Sequence, residues 1–107
     1  MNTVQIQLRD GSTAFLHQAE TGFWICPVCG SPELLNQPYY PEGAASFQMC
    51  SCGFEFGFDD DPGASASALP GVQENWSSWR SKLVSQMTAN QLVQLKSNLA
   101  TIGVYIQ

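Results

Sequence analysis

Four cysteines carry the chemistry in this sequence: Cys26 and Cys29 in Cys-Pro-Val-Cys-Gly, then Cys50 and Cys52 in Cys-Ser-Cys-Gly. They are the only cysteines in 107 residues, twenty residues separate the pairs, and a glycine follows each pair, Gly30 and Gly53. Two close thiolate pairs on tight turns suit a single tetrahedral metal, with Zn–S distances of about 2.3 Å. Pro27 presets one backbone angle. A glycine behind the second cysteine supplies the positive φ that turns backbone N–H groups toward the sulfurs. The expectation is therefore one structural Zn²⁺ on Cys26, Cys29, Cys50 and Cys52. The second pair is Cys-x-Cys, one residue tighter than the usual knuckle. Met49 stands where a wider pair would put its first ligand, but a thioether is a poor zinc ligand, which favours Cys50.

Other uses of the same cysteines stay open. Two disulfides would suit a small secreted domain, against which stand the lack of a charged-then-apolar leader and the polar interruptions between Val4 and Leu8. Cys-Pro-Val-Cys also fits a redox dithiol, which would open a helix in a βαβ unit. The residues that follow it, Gly-Ser-Pro-Glu-Leu-Leu-Asn-Gln-Pro, do not favour that helix. Iron could occupy the same cage. The single histidine, His17, lies between Leu16 and Gln18 in a strand pattern and reads as a surface or edge residue, not a ligand.

Composition narrows the function classes. A chain of 107 residues with 44% hydrophobic residues reads as one small globular domain that a metal cross-link would stabilise. Formal charge is −5, and four thiolates on one Zn²⁺ would add about −2. Only Arg9, Arg80, Lys82 and Lys96 are basic, so no Lys/Arg patch is available for nucleic acid. An acidic balance points to a basic protein partner, or to solubility alone. No apolar run approaches a membrane span, which together with the cysteine chemistry predicts a soluble, cytoplasmic chain.

The elements that must position the cysteines follow from periodicity. Residues 3–9 alternate as a half-buried strand, Asp10-Gly11 reads as a two-residue hairpin turn, and 13–18 read as the returning strand with Phe15 opposite Ala14 and Leu16. Phe23-Trp24-Ile25 reads as a short strand entering the first knuckle. Residues 31–46 hold three prolines and Gly43 and form a loop, within which Tyr39 and Tyr40 read as packing over the core, with an aromatic contact surface as the alternative. Residues 53–58 alternate strictly, predicting a strand with Phe54, Phe56 and Phe58 on one face. Asp59, Asp60 and Asp61 follow as a solvated turn or an acidic contact patch. Residues 62–71 are a small-residue, flexible loop between Pro/Gly pairs.

Val72, Trp76, Trp79, Leu83 and Met87 then fall at helical steps, with Val84 beside them, over a helix ending near Gln86. Thr88-Ala-Asn-Gln91 matches a capping box, so a second helix begins there, with Leu92, Leu95, Leu99 and Ile102 as its stripe and Gly103 as its stop. Val104, Tyr105 and Ile106 read as a last strand or a packed tail. The fold class is α+β: a small zinc-ribbon-like β-sheet (hairpin plus two knuckles) against two C-terminal helices. One domain spans 1–107, divided into a β/knuckle half (1–61), the loop 62–71 and a helical half (72–107).

Cys-Pro-Val-Cys-Gly, the prolines and paired tyrosines, and Ser-Phe-Gln-Met-Cys-Ser-Cys-Gly-Phe-Glu-Phe-Gly-Phe-Asp-Asp ending at Asp60 resemble the small bacterial cysteine-rich proteins of the CPCC type. Trp76, Trp79 and Arg80 extend the likeness, which covers residues 24–84. The resemblance implies a zinc-ribbon-like module, some members acting beside toxins as immunity proteins, and no established catalytic activity. The second knuckle here is one residue shorter than the family's.

The function expected is a non-catalytic, zinc-stabilised binding module, a monomer when free, that neutralises a basic toxin domain by occlusion. Its candidate contacts are Glu55, Asp59, Asp60, Asp61 and Glu74. A zinc-ribbon adaptor in transcription or RNA metabolism is the alternative, and a dithiol or three-cysteine zinc enzyme stands third.

Overall fold

Alternating apolar and polar residues at the start of the chain pair into a hairpin because one face can then be buried whole. In the computed structural model, which describes residues 1–106, β1 (Asn2–Gln7) and β2 (Thr13–Gln18) run antiparallel, with Val4 opposite Leu16 and Ile6 opposite Ala14. Ile6, Ala14 and Leu16 are buried, and Phe15 faces solvent. The connection differs from the two-residue turn expected. Leu8 N–H still bonds Ser12 C=O at 2.8 Å, so Arg9, Asp10 and Gly11 form a three-residue loop closed by Gly11 at φ +86°. That geometry frees the Asp10 side chain to bond elsewhere.

Among the described residues β1 and β2 are the whole of the regular sheet. The knuckle region joins it through single bridges, Gln18 to Trp24 and Trp24 to Leu34. The strand expected at 53–58 does not form. Phe54 and Phe56 are fully buried as anticipated, but Phe58 is exposed, and Glu55 makes only one bridge, to Met49. The reason lies in the aspartates. Asp59 Oδ2 accepts from Glu55 N–H at 2.8 Å and Asp60 Oδ1 from Gly57 N–H at 2.9 Å, so side-chain oxygens take donors that a strand would offer a neighbour. Gly57 at φ +98° completes the turn.

The helices match their sequence signals closely. α1 (Val72–Gln86) buries Val72 and Trp76 and half-buries Trp79, Leu83 and Val84. Its first N–H, from Val72, is bonded at 2.8 Å by Asp10 Oδ2, a carboxylate placed where the helix dipole favours it. α2 (Ala89–Ala100) opens with the full capping box, Thr88 to Gln91, buries Leu95 and Leu99, and leaves Val93 exposed. After Gly103, Val104 and Ile106 pack against the core as a tail and Tyr105 points outward. One buried cluster joins all of these, from Ile6 and Leu16 through Phe54 and Phe56 to Trp76 and Leu99.

The 62–71 loop is tied down at its C-terminal end. Asn75, buried on α1, accepts from Leu69 N–H and donates to the carbonyls of Leu69 and Gly71, while Arg9 Nη1 donates to Pro70 C=O. No helix among the described residues is long and apolar enough to cross a membrane.

Candidate metal centre

Each cysteine pair sits on a turn whose closure its own spacing dictates. In the first knuckle, Gly30 N–H bonds Cys26 C=O at 2.8 Å and Cys26 N–H bonds Ser31 C=O at 2.9 Å. In the second, Gly53 N–H bonds Cys50 C=O at 2.9 Å and Cys50 N–H bonds Phe54 C=O at 3.0 Å. The same pair of bonds thus closes a loop one residue shorter, which is how Cys-x-Cys does the work of Cys-x-x-Cys. Both turns end on a left-handed glycine, Gly30 at φ +81° and Gly53 at φ +91°.

The four sulfurs converge. All lie within 4.8 Å of one another, and Cys29 and Cys50 are 3.5 Å apart, well beyond the roughly 2.05 Å of a disulfide. A tetrahedron with metal–sulfur bonds of about 2.3 Å has edges of roughly 3.8 Å, so the cluster can hold one metal ion with four thiolate ligands. All four cysteines are free; Cys26, Cys29 and Cys50 are buried and Cys52 is partly exposed. Burial pushes the Cys26 thiol up, and hydrogen bonds from the Cys26, Cys50 and Cys52 thiols hold Cys29 down. Four thiols this close compete for their protons, which one metal ion could replace. Met49, the competing ligand position, points to solvent.

Helix α1 holds both knuckles with two consecutive residues. Trp79 Nε1 donates to Cys52 C=O at 3.0 Å; Arg80 donates from Nε to Val28 C=O at 2.7 Å and from Nη2 to Pro27 C=O at 2.9 Å. Burial lowers the Arg80 pKa and the charges of Cys26 and Cys29 oppose that, so its guanidinium partly balances the thiolates. The Trp79 ring also meets Phe54 edge-on at 5.4 Å. Helix α2 grips the first knuckle from another side: a Cβ on Gly30 would stand 2.6 Å from the Asn98 carbonyl carbon. Glu33 Oε1 accepts from Ser51 N–H at 2.8 Å and lies 2.7 Å from Cys50 Sγ, joining the inter-knuckle loop to the second pair.

In the sequence Trp79 reads as a core residue and Arg80 as a scarce cation that extends the family likeness, but neither reading places them on the knuckles, and nothing local marks Glu33. A cleft of about 470 Å³ lies beside the centre, lined by Cys29, Cys52, Leu83, Met87 and the amides of Gln94 and Asn98. His17 is not part of the sulfur cluster; its Nδ1 pairs with the Thr3 hydroxyl at 2.9 Å.

The acidic candidates divide. Glu74 is exposed, and Glu55, Asp59 and Asp61 are half-buried with part of each at the surface. Asp60 corrects the expectation. It is only 2% exposed, accepts from the Tyr39 hydroxyl and Gly57 N–H, and has its pKa raised by burial. Tyr39 in turn accepts from Trp76 Nε1 at 3.1 Å. The middle carboxylate of the acidic run is therefore turned inward, onto Tyr39 and Gly57, and away from the surface. Comparison with protein families, with curated proteins and with solved structures finds no match to this chain.

Proposed function

We propose that this chain is a non-catalytic protein-binding module, built on one structural Zn²⁺, that acts as an immunity protein by occluding a cognate basic toxin domain. Zinc is the metal that an all-thiolate tetrahedral cage best suits, and a cage of four protein ligands has no open position for water or substrate. Reduced, buried thiolates suit the cytoplasm.

The observation that carries the binding role is uncompensated acidity. No lysine or arginine occurs between Arg9 and Arg80, and both of those guanidiniums are spent on backbone carbonyls. That leaves Lys82 and Lys96, both on helices, against the surface carboxylates of Glu55, Asp59, Asp61 and Glu74. Such a field steers a basic protein and repels nucleic acid. The toxin setting rests on the likeness of the knuckle block to the CPCC-type proteins.

Native mass spectrometry with metal analysis tests the proposal, on the chain alone and co-expressed with the product of the neighbouring reading frame. One zinc per chain, four unreactive thiols and a co-purifying partner are expected. Two disulfides without metal, or no complex with the neighbour, would overturn it.

A further inference from the structure

Phe47 is the one non-glycine residue with positive φ among the described residues, at +58°, a region that bulky side chains rarely adopt. It is also 70% exposed, so burial of its ring does not account for the conformation. The ring lies over Gly57, where a Cβ would come within 2.6 Å of it. Two further exposed apolar residues lie on the segments that pair around Gln48. Phe47 and Met49 flank Gln48, whose amide bonds both the N–H and the C=O of Asn36, and Leu35 is the residue before Asn36. Leu35 is 76% and Met49 62% exposed.

Two of the three have a carboxylate at hand. Glu55 bridges to Met49, and Glu42 and Asp61 line a hollow of about 360 Å³ together with Phe47. Arg9 also lines that hollow, but its guanidinium is bonded to the Asp60 and Pro70 carbonyls.

We infer that Leu35, Phe47 and Met49 form the centre of the partner-docking surface, which takes a basic protein domain offering apolar side chains among lysines and arginines. Positional strain concentrated on an exposed aromatic is characteristic of contact sites, and aromatic anchors ringed by polar groups dominate binding energy. The acidic rim selects the occupant: it repels anionic lipid and nucleic acid, and it repels a second copy carrying the same rim. The inference rests on the binding-module reading but assigns it residues outside the acidic run.

Two probes separate the two claims: the neighbouring-frame domain, and an amphipathic peptide of lysine and leucine followed by amide chemical shifts. Phe47→Gly suits the left-handed backbone, so zinc content and melting temperature should hold while affinity for the domain falls roughly tenfold or more. Leu35→Ser and Met49→Ser, at exposed positions, serve the same purpose if the glycine variant fails to fold. Peptide shifts should centre on residues 35 and 47–49. If the domain binds but all three variants bind within about twofold of the parent, the surface is wrong and the binding reading stands. Peptide shifts on this patch without domain binding would keep the surface and remove the toxin reading. No binding by either probe, or peptide shifts centred elsewhere, would overturn the surface.

Discussion

Two aspartates with opposite environments show how much a single residue can carry here. Burial works against ionisation of Asp10, yet hydrogen bonds from the Ser12 hydroxyl and N–H and from Val72 N–H hold its carboxylate below the ordinary range. Its contribution is present above the unfolded pKa of about 3.9 and is lost as pH falls through the lower folded value. Asp10→Ala should cost about 0.5–2 kcal/mol at neutral pH and flatten the acid limb of a stability-versus-pH curve measured by urea unfolding. Asp60 is the reverse case: burial raises its pKa, so its contribution is full below the unfolded value and declines as pH rises through the folded one. Asp60→Ala would leave the Tyr39 hydroxyl and Gly57 N–H without their acceptor. A loss of about 1–3 kcal/mol is expected in thermal or urea melts, with partner affinity unchanged once folded protein is compared. A loss of affinity with no change in stability would show that Asp60 is a contact after all.

Between elements, the metal centre depends on two helices more than on the sheet. Arg80 spans the carbonyls of Pro27 and Val28 with two nitrogens, which a lysine ammonium on its single stem cannot reproduce. Arg80→Lys should weaken zinc binding by about 10–100-fold in competition with a chromogenic chelator, as loss of other groups supporting metal ligands does. Gly30→Ala would force a Cβ into the Asn98 backbone and strain a left-handed turn at once. It should cost about 1–3 kcal/mol and raise hydrogen exchange across α2 before the rest of the chain. At this scale the sequence was readable wherever local chemistry decided the matter: the capping box at Thr88, the α1 stripe, the two glycine-ended turns. It misled at 53–58, where strict alternation signalled a strand. Asp59 and Asp60, just past the run, supplied side-chain acceptors that turned the backbone instead.

Across the described residues the regular sheet is only two strands, so a metal on the four cysteines is expected to hold much of the fold. Structural zinc contributes about 10–16 kcal/mol in small zinc peptides, comparable to the roughly 5–15 kcal/mol stability of a whole domain. Chelation should therefore abolish the cooperative melt and the near-ultraviolet dichroism of Trp76 and Trp79, and restored zinc should return both. A chelated chain that still melts cooperatively at the same temperature would show the cage to be ornamental to folding. The sequence by itself determined the four clustered cysteines, the turns beneath them, the two helices and the acidic balance. Each of these follows from residues close in the chain or from composition alone. Tertiary structure alone decided that Arg80 and Trp79 support the knuckles, that Asp60 is spent on Tyr39, and that Phe47, Leu35 and Met49 stand outside the core. Those outcomes depend on partners far apart in the chain, and only packing brings such groups within hydrogen-bonding distance or leaves them in water.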